Sequence, residues 1–249
     1  MGAPERAPLG AALALLIAVV SLTTGLSPWL MAGLVGMMSL MIAVAWPDLL
    51  ELASPVGSRI VIAGTGLLGA VSAVVVAERW SPTTGIVMVC AVGVIAAFFQ
   101  QMLRRERHEL TASLTGTVAG VVITGLSSTW VLAQQAALES GQAGLVTAIA
   151  GGLATALLLN TLPVPTAVGF PLAAVGGTGV TIALGTVLTG VDLLALAAVG
   201  AITMIASVCT HLLLGSALVS KDPAASLAVG AGPCATAGVV AFLAAILPI

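Results

Sequence analysis

The residues best suited to chemistry in this chain lie in one short segment, RRERHEL at 104–110. Its guanidinium groups could bind a phosphate or a carboxylate, because both anions accept paired hydrogen bonds from arginine. The run RHEL also begins like the zinc motif H-E-x-x-H, but position 112 is Ala, so the second histidine is missing. We interpret the segment as an anionic head-group site or a topology anchor. Its candidate residues are Arg104, Arg105, Arg107 and His108.

No other pattern in the sequence predicts catalysis or a bound metal. The three cysteines lie in separate apolar runs, without the spacing of a zinc or C-x-x-C redox site. The sequence has no G-x-S-x-G motif, and the glycines at 176–179 are not followed by the lysine that a P-loop requires. We therefore predict no cofactor, no metal and no catalytic residue, and we leave open whether the chain is an enzyme.

The composition indicates the environment in which the basic segment must be placed. Of 249 residues, 59% are hydrophobic and only 6% are charged, whereas a soluble domain carries about 25% charged residues. The mean hydropathy is +1.22. Such an exterior suits lipid rather than water, so we predict an integral membrane protein. The net charge of −2 and the absence of a basic stripe with interleaved aromatics argue against nucleic-acid binding.

Apolar runs long enough to cross a bilayer as helices, about 20 residues each, follow one another along the whole sequence. Polar segments with Pro and Gly separate them. The first run resembles a signal peptide but lacks a small-residue cleavage site, so we expect it to be retained. We predict an all-α, polytopic transmembrane helix bundle of about nine spans, in a single membrane domain, 1–249. The predicted spans are 8–26, 28–46, 60–78, 85–103, 112–133, 143–160, 166–190, 193–215 and 225–247.

Basic residues determine the predicted orientation, since short cytoplasmic loops carry an excess of Lys and Arg. With the N-terminus inside, only Arg79 falls on the outer side. The inner residues are Arg6, Arg59, Arg104, Arg105, Arg107 and Lys221. We therefore predict a cytoplasmic N-terminus, an outer C-terminus and a multi-pass location in the bacterial cytoplasmic membrane. The charged inner loop 104–111 divides the chain into four spans, 1–103, and five spans, 112–249.

The fifth span carries the most regular polar pattern. At ~100° per residue, small and hydroxyl-bearing side chains fall on one stripe. Such a stripe either lines a cavity or contacts another helix, where Gly lets backbones approach and hydroxyls bond across. The second use is the commoner one in membrane helices. The stripe consists of Ser113, Thr117, Gly120, Thr124, Ser127 and Ser128.

The seventh span combines a proline with several glycines, a pattern typical of a bent, broken or closely packed helix. Broken helices can form transport sites near the middle of the membrane, and close packing is the simpler alternative. No acidic or basic residue lies deep within a predicted span, so the sequence offers no coupling residue for ion-driven transport. The broken-helix candidates are Pro171, Gly176, Gly177 and Gly179.

The segment LRRERHELTASLTGTVAGVV, 103–122, resembles the arrangement in bacterial phosphatidate cytidylyltransferases. In the N-terminal half of that family, helical hairpins precede a charged inner loop and a Ser/Thr/Gly-rich span. The resemblance implies a lipid-modifying enzyme. However, the family's catalytic run, of the type LDRxDS, has no counterpart in 145–249, so cytidylyl transfer is not implied. The chain also resembles small multi-span bacterial proteins, actinobacterial in their composition, that are grouped as permeases.

Three functions follow from these observations. We favour a permease-, flippase- or channel-like protein for an apolar or amphipathic substrate. The alternatives are a non-catalytic scaffold in envelope lipid metabolism and a lipid-modifying enzyme related to the cytidylyltransferases. The expected partners are the bilayer, an anionic phospholipid, and either another membrane protein or a second copy of the chain.

Overall fold

The computed structural model describes residues 7–23, 27–76, 81, 83–103, 109–216 and 225–247. These residues form helices and no strands, which confirms the predicted all-α class. The helices are α1 (Ala7–Leu22), α2 (Pro28–Leu49), α3 (Pro55–Val75), α4 (Thr84–Met102), α5 (Leu110–Ser127), α6 (Thr129–Glu139), α7 (Gly144–Leu159), α8 (Thr166–Leu188), α9 (Leu193–Ser216) and α10 (Ala225–Ile246).

Each predicted span corresponds to a helical segment, but the segments differ in length. Seven of those that the structure describes are long and apolar enough to cross a bilayer. The helices α1 and α7 have 16 residues each, which gives ~24 Å at 1.5 Å per residue, short of a ~30 Å hydrocarbon layer. Eleven of the sixteen residues of α7 are buried and only Leu158 is exposed, so this helix is largely enclosed by protein and contributes little surface to lipid.

Local chemistry fixes several helix ends. Pro28 and Pro55 occupy the first turns of α2 and α3, where a missing backbone N–H costs nothing. The Asp192 carboxylate accepts a hydrogen bond of 2.9 Å from the backbone N–H of Leu194, as an N-cap residue of α9 does. Asn160 follows α7 directly and is its C-cap residue.

The segment α5–α6 differs from its prediction. The fifth span was expected to end near residue 133, with the polar run QQAALESGQ as a loop. Instead the helix continues to Glu139 and bends at Ser128. Thr124 and Thr129 donate their hydroxyls to carbonyls three or four residues earlier, and such bonds bend helices. No Gly or Pro lies between 129 and 139 to end the helix.

Two groups of helices build the bundle. The helices α2, α3, α4 and α5 pack against one another, and α7, α8 and α9 form a second group. The first helix packs on α7, while α10 contacts α2, α5 and α6 as well as α1, α7 and α9. The last helix therefore lies between the two groups, and its residues are correspondingly among the most buried.

Candidate functional site

The polar stripe of α5 faces neighbouring helices and not a cavity. Its hydroxyl-bearing side chains are almost wholly buried, with at most 1% of each exposed. Three of them bond to other helices: Ser127 to Ser39 of α2 at 3.1 Å, Thr117 to Ser58 of α3 at 2.7 Å, and Ser113 to Gln101 of α4 at 2.8 Å.

The rest of the stripe is closed by packing. A side chain at Gly120 would collide with Ile62 and Trp46, and the indole N–H of Trp46 donates to the carbonyl of Gly116 at 2.8 Å. The Ser128 hydroxyl is buried without a hydrogen-bond partner in the described structure, against Gly69. These contacts support the helix-packing interpretation of the stripe over the cavity interpretation.

The glycines of α8 are also packing residues. The helix runs without interruption from Thr166 to Leu188 through Pro171. The proline and the glycines therefore do not break it. A Cβ on Gly177 would lie 2.8 Å from the carbonyl oxygen of Gly152 on α7, and Gly176 faces Leu159. By contrast, Gly179 points into open space. Close packing therefore accounts for two of the three glycines.

The basic segment lies outside the described residues, and with it Arg104, Arg105, Arg107 and His108. The helix ends that flank it are described, and they border an open cleft of about 370 Å³ between the end of α4 and the start of α5. Phe98, Met102, Leu110 and Leu114 give this cleft apolar walls, with the polar Gln101 and Thr111 beside them.

Two membrane-facing grooves lie on the first group of helices. The larger, about 540 Å³, runs between α3 and α4, and the smaller, about 380 Å³, between α2 and α3. Large apolar side chains along the first are exposed, among them Ile60 (68%), Leu68 (57%) and Val92 (61%). Gly64 lies in its wall with no other atom within 4 Å of an added Cβ.

The acidic residues that the structure describes do not gather in a reaction site. Asp48 accepts two hydrogen bonds of 2.7 Å from Arg59, which occupies its carboxylate. Glu51 and Glu109 are exposed and both adopt a left-handed backbone, with φ of 49° and 52°. Among the described residues, no three His, Cys, Asp or Glu side chains lie close enough together to hold a metal ion.

One buried polar residue, Gln134, was not predicted from the sequence pattern. Gln134 was assigned to a loop after the fifth span, yet it lies within α6 and only 2% of its surface is exposed. An unbroken run of helix formers, WVLAQQAALE, was the available signal.

The helices and their exposed faces define a class. Seven apolar helices of sufficient length, with exposed apolar side chains along them, fit a multi-pass α-helical integral membrane protein. The chain matches no known protein family, no curated protein and no solved structure. Its function must therefore follow from the geometry of its own residues.

Proposed function

We propose that this protein binds amphipathic, lipid-like molecules at its membrane-facing surface and moves them between the two leaflets, as a permease or flippase does. The observation that carries the proposal is the groove between α3 and α4. The polar stripe of α5 is closed by helix packing, so it supplies no surface for a polar substrate. The groove is the largest accessible space among the cavities described above.

The length of the groove suits an acyl chain. Its α3 wall extends from Ile60 to Val75, sixteen residues, or ~24 Å along the helix axis. That distance covers most of a ~30 Å hydrocarbon layer. A lipid chain could therefore remain in contact with the same groove at any depth of the membrane.

The chemistry of the groove also suits an apolar chain. The walls carry no charged residue. Thr65 and Ser72 donate their hydroxyls to carbonyls of their own helix, at 2.8 Å and 2.9 Å. These hydroxyls are already satisfied and do not call for a polar ligand. The groove accordingly favours dispersion contacts with a hydrocarbon chain.

Polar groups lie at one end of the same helices, where a head group would be placed. Gln100, near the end of α4, donates to Ser54 at the start of α3 at 2.8 Å, and Gln101 donates to Ser113. The sequence continues from here into the basic segment 104–108. We propose an anionic head group as its ligand, since each juxtamembrane basic residue gains about 1 kcal/mol from an anionic leaflet.

Filling the groove tests the proposal. Gly64→Phe places a large side chain in the groove without a backbone clash, whereas Gly179→Phe makes the same change on α8, where space is also open. Both proteins would be reconstituted into vesicles, and the transbilayer movement of a fluorescent phospholipid would be followed with an impermeant quencher. We expect Gly64→Phe to abolish most of the protein-dependent movement and Gly179→Phe to leave it unchanged.

Other outcomes reject the groove. Movement that is unaffected by Gly64→Phe would overturn the proposed path. Loss of activity in Gly179→Phe alone would favour the scaffold alternative, with α8 as a contact surface.

The head-group ligand has a separate test. Replacing Arg104, Arg105 and Arg107 together with Gln should reduce the anionic phospholipid that co-purifies, measured by mass spectrometry. Unchanged lipid content would leave these arginines only a topological role. A reporter fused after residue 110 would show whether this loop still lies on the cytoplasmic side, where it is predicted to be, when the arginines are replaced.

A further inference from the structure

The groove proposed for lipid movement has a neighbour on the other side of α3. The α3–α4 groove has a volume of about 540 Å³, and the α2–α3 groove a volume of about 380 Å³. Val71 borders both grooves, while Leu67 borders only the second and Leu68 only the first. These three exposed side chains form a ridge along α3. Two hydrocarbon chains could therefore lie side by side, one on each side of the ridge.

The two grooves reach different depths of the membrane. The α2–α3 groove extends on α2 from Trp29 to Leu40, which is ~16 Å along the helix axis. This length is close to the ~15 Å of hydrocarbon in one leaflet. Gly66 of α3 packs against Ser39 of α2, so the α2–α3 groove ends near the level of Gly66. The α3–α4 groove continues past that level to Ile60.

The half of the membrane in which both grooves are present lies away from the basic segment. Only five residues join α2 to α3, and the two helices pack together as a hairpin. The start of α2 at Pro28 therefore lies beside the end of α3 at Val75, on the side predicted to face outward. Trp29 lies at this end of the α2–α3 groove and is 52% exposed, as expected for an indole at the membrane–water interface.

The lining of the α2–α3 groove suits a hydrocarbon chain. All of its lining residues are apolar, and several are small, among them Ala32, Gly33 and Ala70. Gly33 is exposed, and no atom lies within 4 Å of an added Cβ, so packing within the protein does not account for this glycine. Small residues let a chain approach the helix backbones, and dispersion attraction depends on such close approach.

We propose that the outer half of the two grooves is a binding site for a two-chain lipid that straddles α3, with one acyl chain in each groove. This inference rests on the proposed function, because it names the substrate class of the same α3–α4 groove. In the inner leaflet such a lipid finds a groove for only one chain. A single-chain lipid needs only the α3–α4 groove, so its movement does not depend on the α2–α3 groove.

Filling the second groove tests the proposal. Gly33→Phe places a ring in the α2–α3 groove and leaves the α3–α4 groove open. The full-length protein would be reconstituted into vesicles of phosphatidylcholine and phosphatidylglycerol. The movement of head-group-labelled phosphatidylethanolamine and of its single-chain lyso form would be followed with an impermeant quencher. We expect Gly33→Phe to slow the two-chain lipid about fivefold, because a displaced chain loses many dispersion contacts, and to leave the lyso form unchanged.

Gly33→Ala is the matched control, because its methyl group is too small to fill the groove. It should move both lipids like the wild type. If Gly33→Phe fails to fold, crosslinking of the wild-type protein decides the matter.

Photocrosslinking locates the chains without requiring movement. Phosphatidylcholine with a diazirine in one chain, or its lyso form, would be added to the same vesicles, and labelled peptides would be identified by mass spectrometry. The peptide of α8 around Val175, which is 72% exposed, measures labelling by ordinary boundary lipid. Relative to α8, we expect the two-chain probe to label both the α2 peptide with Met37 and the α4 peptide with Met88, which border the two grooves. Gly33→Phe should remove the excess labelling of α2 only.

The results that reject this site differ from those that reject the transport groove. The two-chain site is overturned if Gly33→Phe slows both lipids equally or neither, or if α2 is labelled no more strongly than α8. Absence of protein-dependent movement, or movement unaffected by Gly64→Phe, rejects the transport groove instead. In that case the crosslinking alone decides whether a two-chain lipid straddles α3.

Discussion

The two groups of helices are held together by different chemistry. Between α2, α3, α4 and α5, side chains bond across the interfaces, as in the contacts Ser58–Thr117 at 2.7 Å and Ser39–Ser127 at 3.1 Å. Between α7, α8 and α9, hydroxyls turn back to their own helix: Thr181 donates to Gly177 at 3.1 Å. Glycines bring helices close together in both groups, but among the described residues only the first group adds hydroxyl bonds between its helices. We call these groups the hydroxyl-bonded region (α2–α5) and the glycine-packed region (α7–α9).

The contrast shows two solutions to one physical problem. Lipid tails are as apolar as leucine, so membrane helices gain little from hydrophobic burial and must associate through close packing or hydrogen bonds. Close backbone approach is sensitive to any added atom. A hydrogen bond between hydroxyls contributes less and is easier to replace. Substitutions in the glycine-packed region should therefore have the larger effects.

The largest effect is expected for Gly177→Val. An added Cβ would lie 2.8 Å from both the Gly152 carbonyl oxygen and the Ala156 Cβ, and neither can move aside without shifting α7. We expect a loss of about 3 kcal/mol in the free energy of unfolding, the upper part of the range for overpacking. Unfolding by SDS, followed by circular dichroism, measures it.

Gly179→Val is the matched control for that change. It has the same chemistry two residues along the same helix, with nothing within 4 Å of the new Cβ. Its effect should stay within about 0.5 kcal/mol, as for a surface substitution. Equal losses in the two variants would show that helix propensity, and not the contact with α7, is what matters.

A second, smaller effect tests the connection between the two regions. Trp130 of α6 is fully buried, and its indole N–H donates to the carbonyl of Cys234 on α10 at 2.7 Å. Trp130→Phe removes that bond and leaves a void, so we expect a loss of about 2 kcal/mol. Trp29→Phe provides the comparison, since Trp29 is 52% exposed and should change little. Unfolding in SDS, followed by indole fluorescence, measures the free energy of unfolding of both variants.

Most of the fold could be predicted from the sequence, because apolar runs of membrane length and the Pro and Gly residues between them are local signals. The boundaries were predicted less well where the signal is weak. The two glutamines of QQAAL indicated a loop, but tertiary packing places Gln134 inside the protein. The lengths of α1 and α7 also depend on their neighbours, which enclose α7 from several sides.

The candidate site was harder to predict than the fold. A stripe of Ser, Thr and Gly looks the same in sequence whether it lines a cavity or contacts a helix, and only the positions of Ser39, Ser58 and Gln101 distinguish the two. The groove wall at Gly64 depends on how α3 meets α4, which no local pattern encodes. Sites made by two helices far apart in sequence are generally hidden from single-sequence reasoning.

A third prediction measures one hydrogen bond of the hydroxyl-bonded region. A double-mutant cycle with Ser58→Ala and Thr117→Val should give a coupling free energy of about 0.6 kcal/mol, the typical value for such bonds in membrane helices. Thr181→Val paired with Ser58→Ala should give none, because Thr181 bonds within α8. A coupling near zero for the first pair would mean that the region is stabilised by packing alone, and the contrast between the regions would then fail.

The smallest effect is expected for the ion pair at the end of α2. Arg59 and Asp48 are joined by two 2.7 Å contacts, but their side chains are 37% and 25% exposed. Water and salt screen such a pair, so a cycle with Arg59→Gln and Asp48→Asn should give a coupling of about 0.3 kcal/mol, below that of Ser58 and Thr117. Raising the salt concentration should reduce this coupling and leave that of Ser58 and Thr117 unchanged, because the hydroxyl pair is buried and uncharged. If the coupling of Arg59 and Asp48 does not change with salt concentration, the pair lies in a drier environment than the exposure of its side chains indicates.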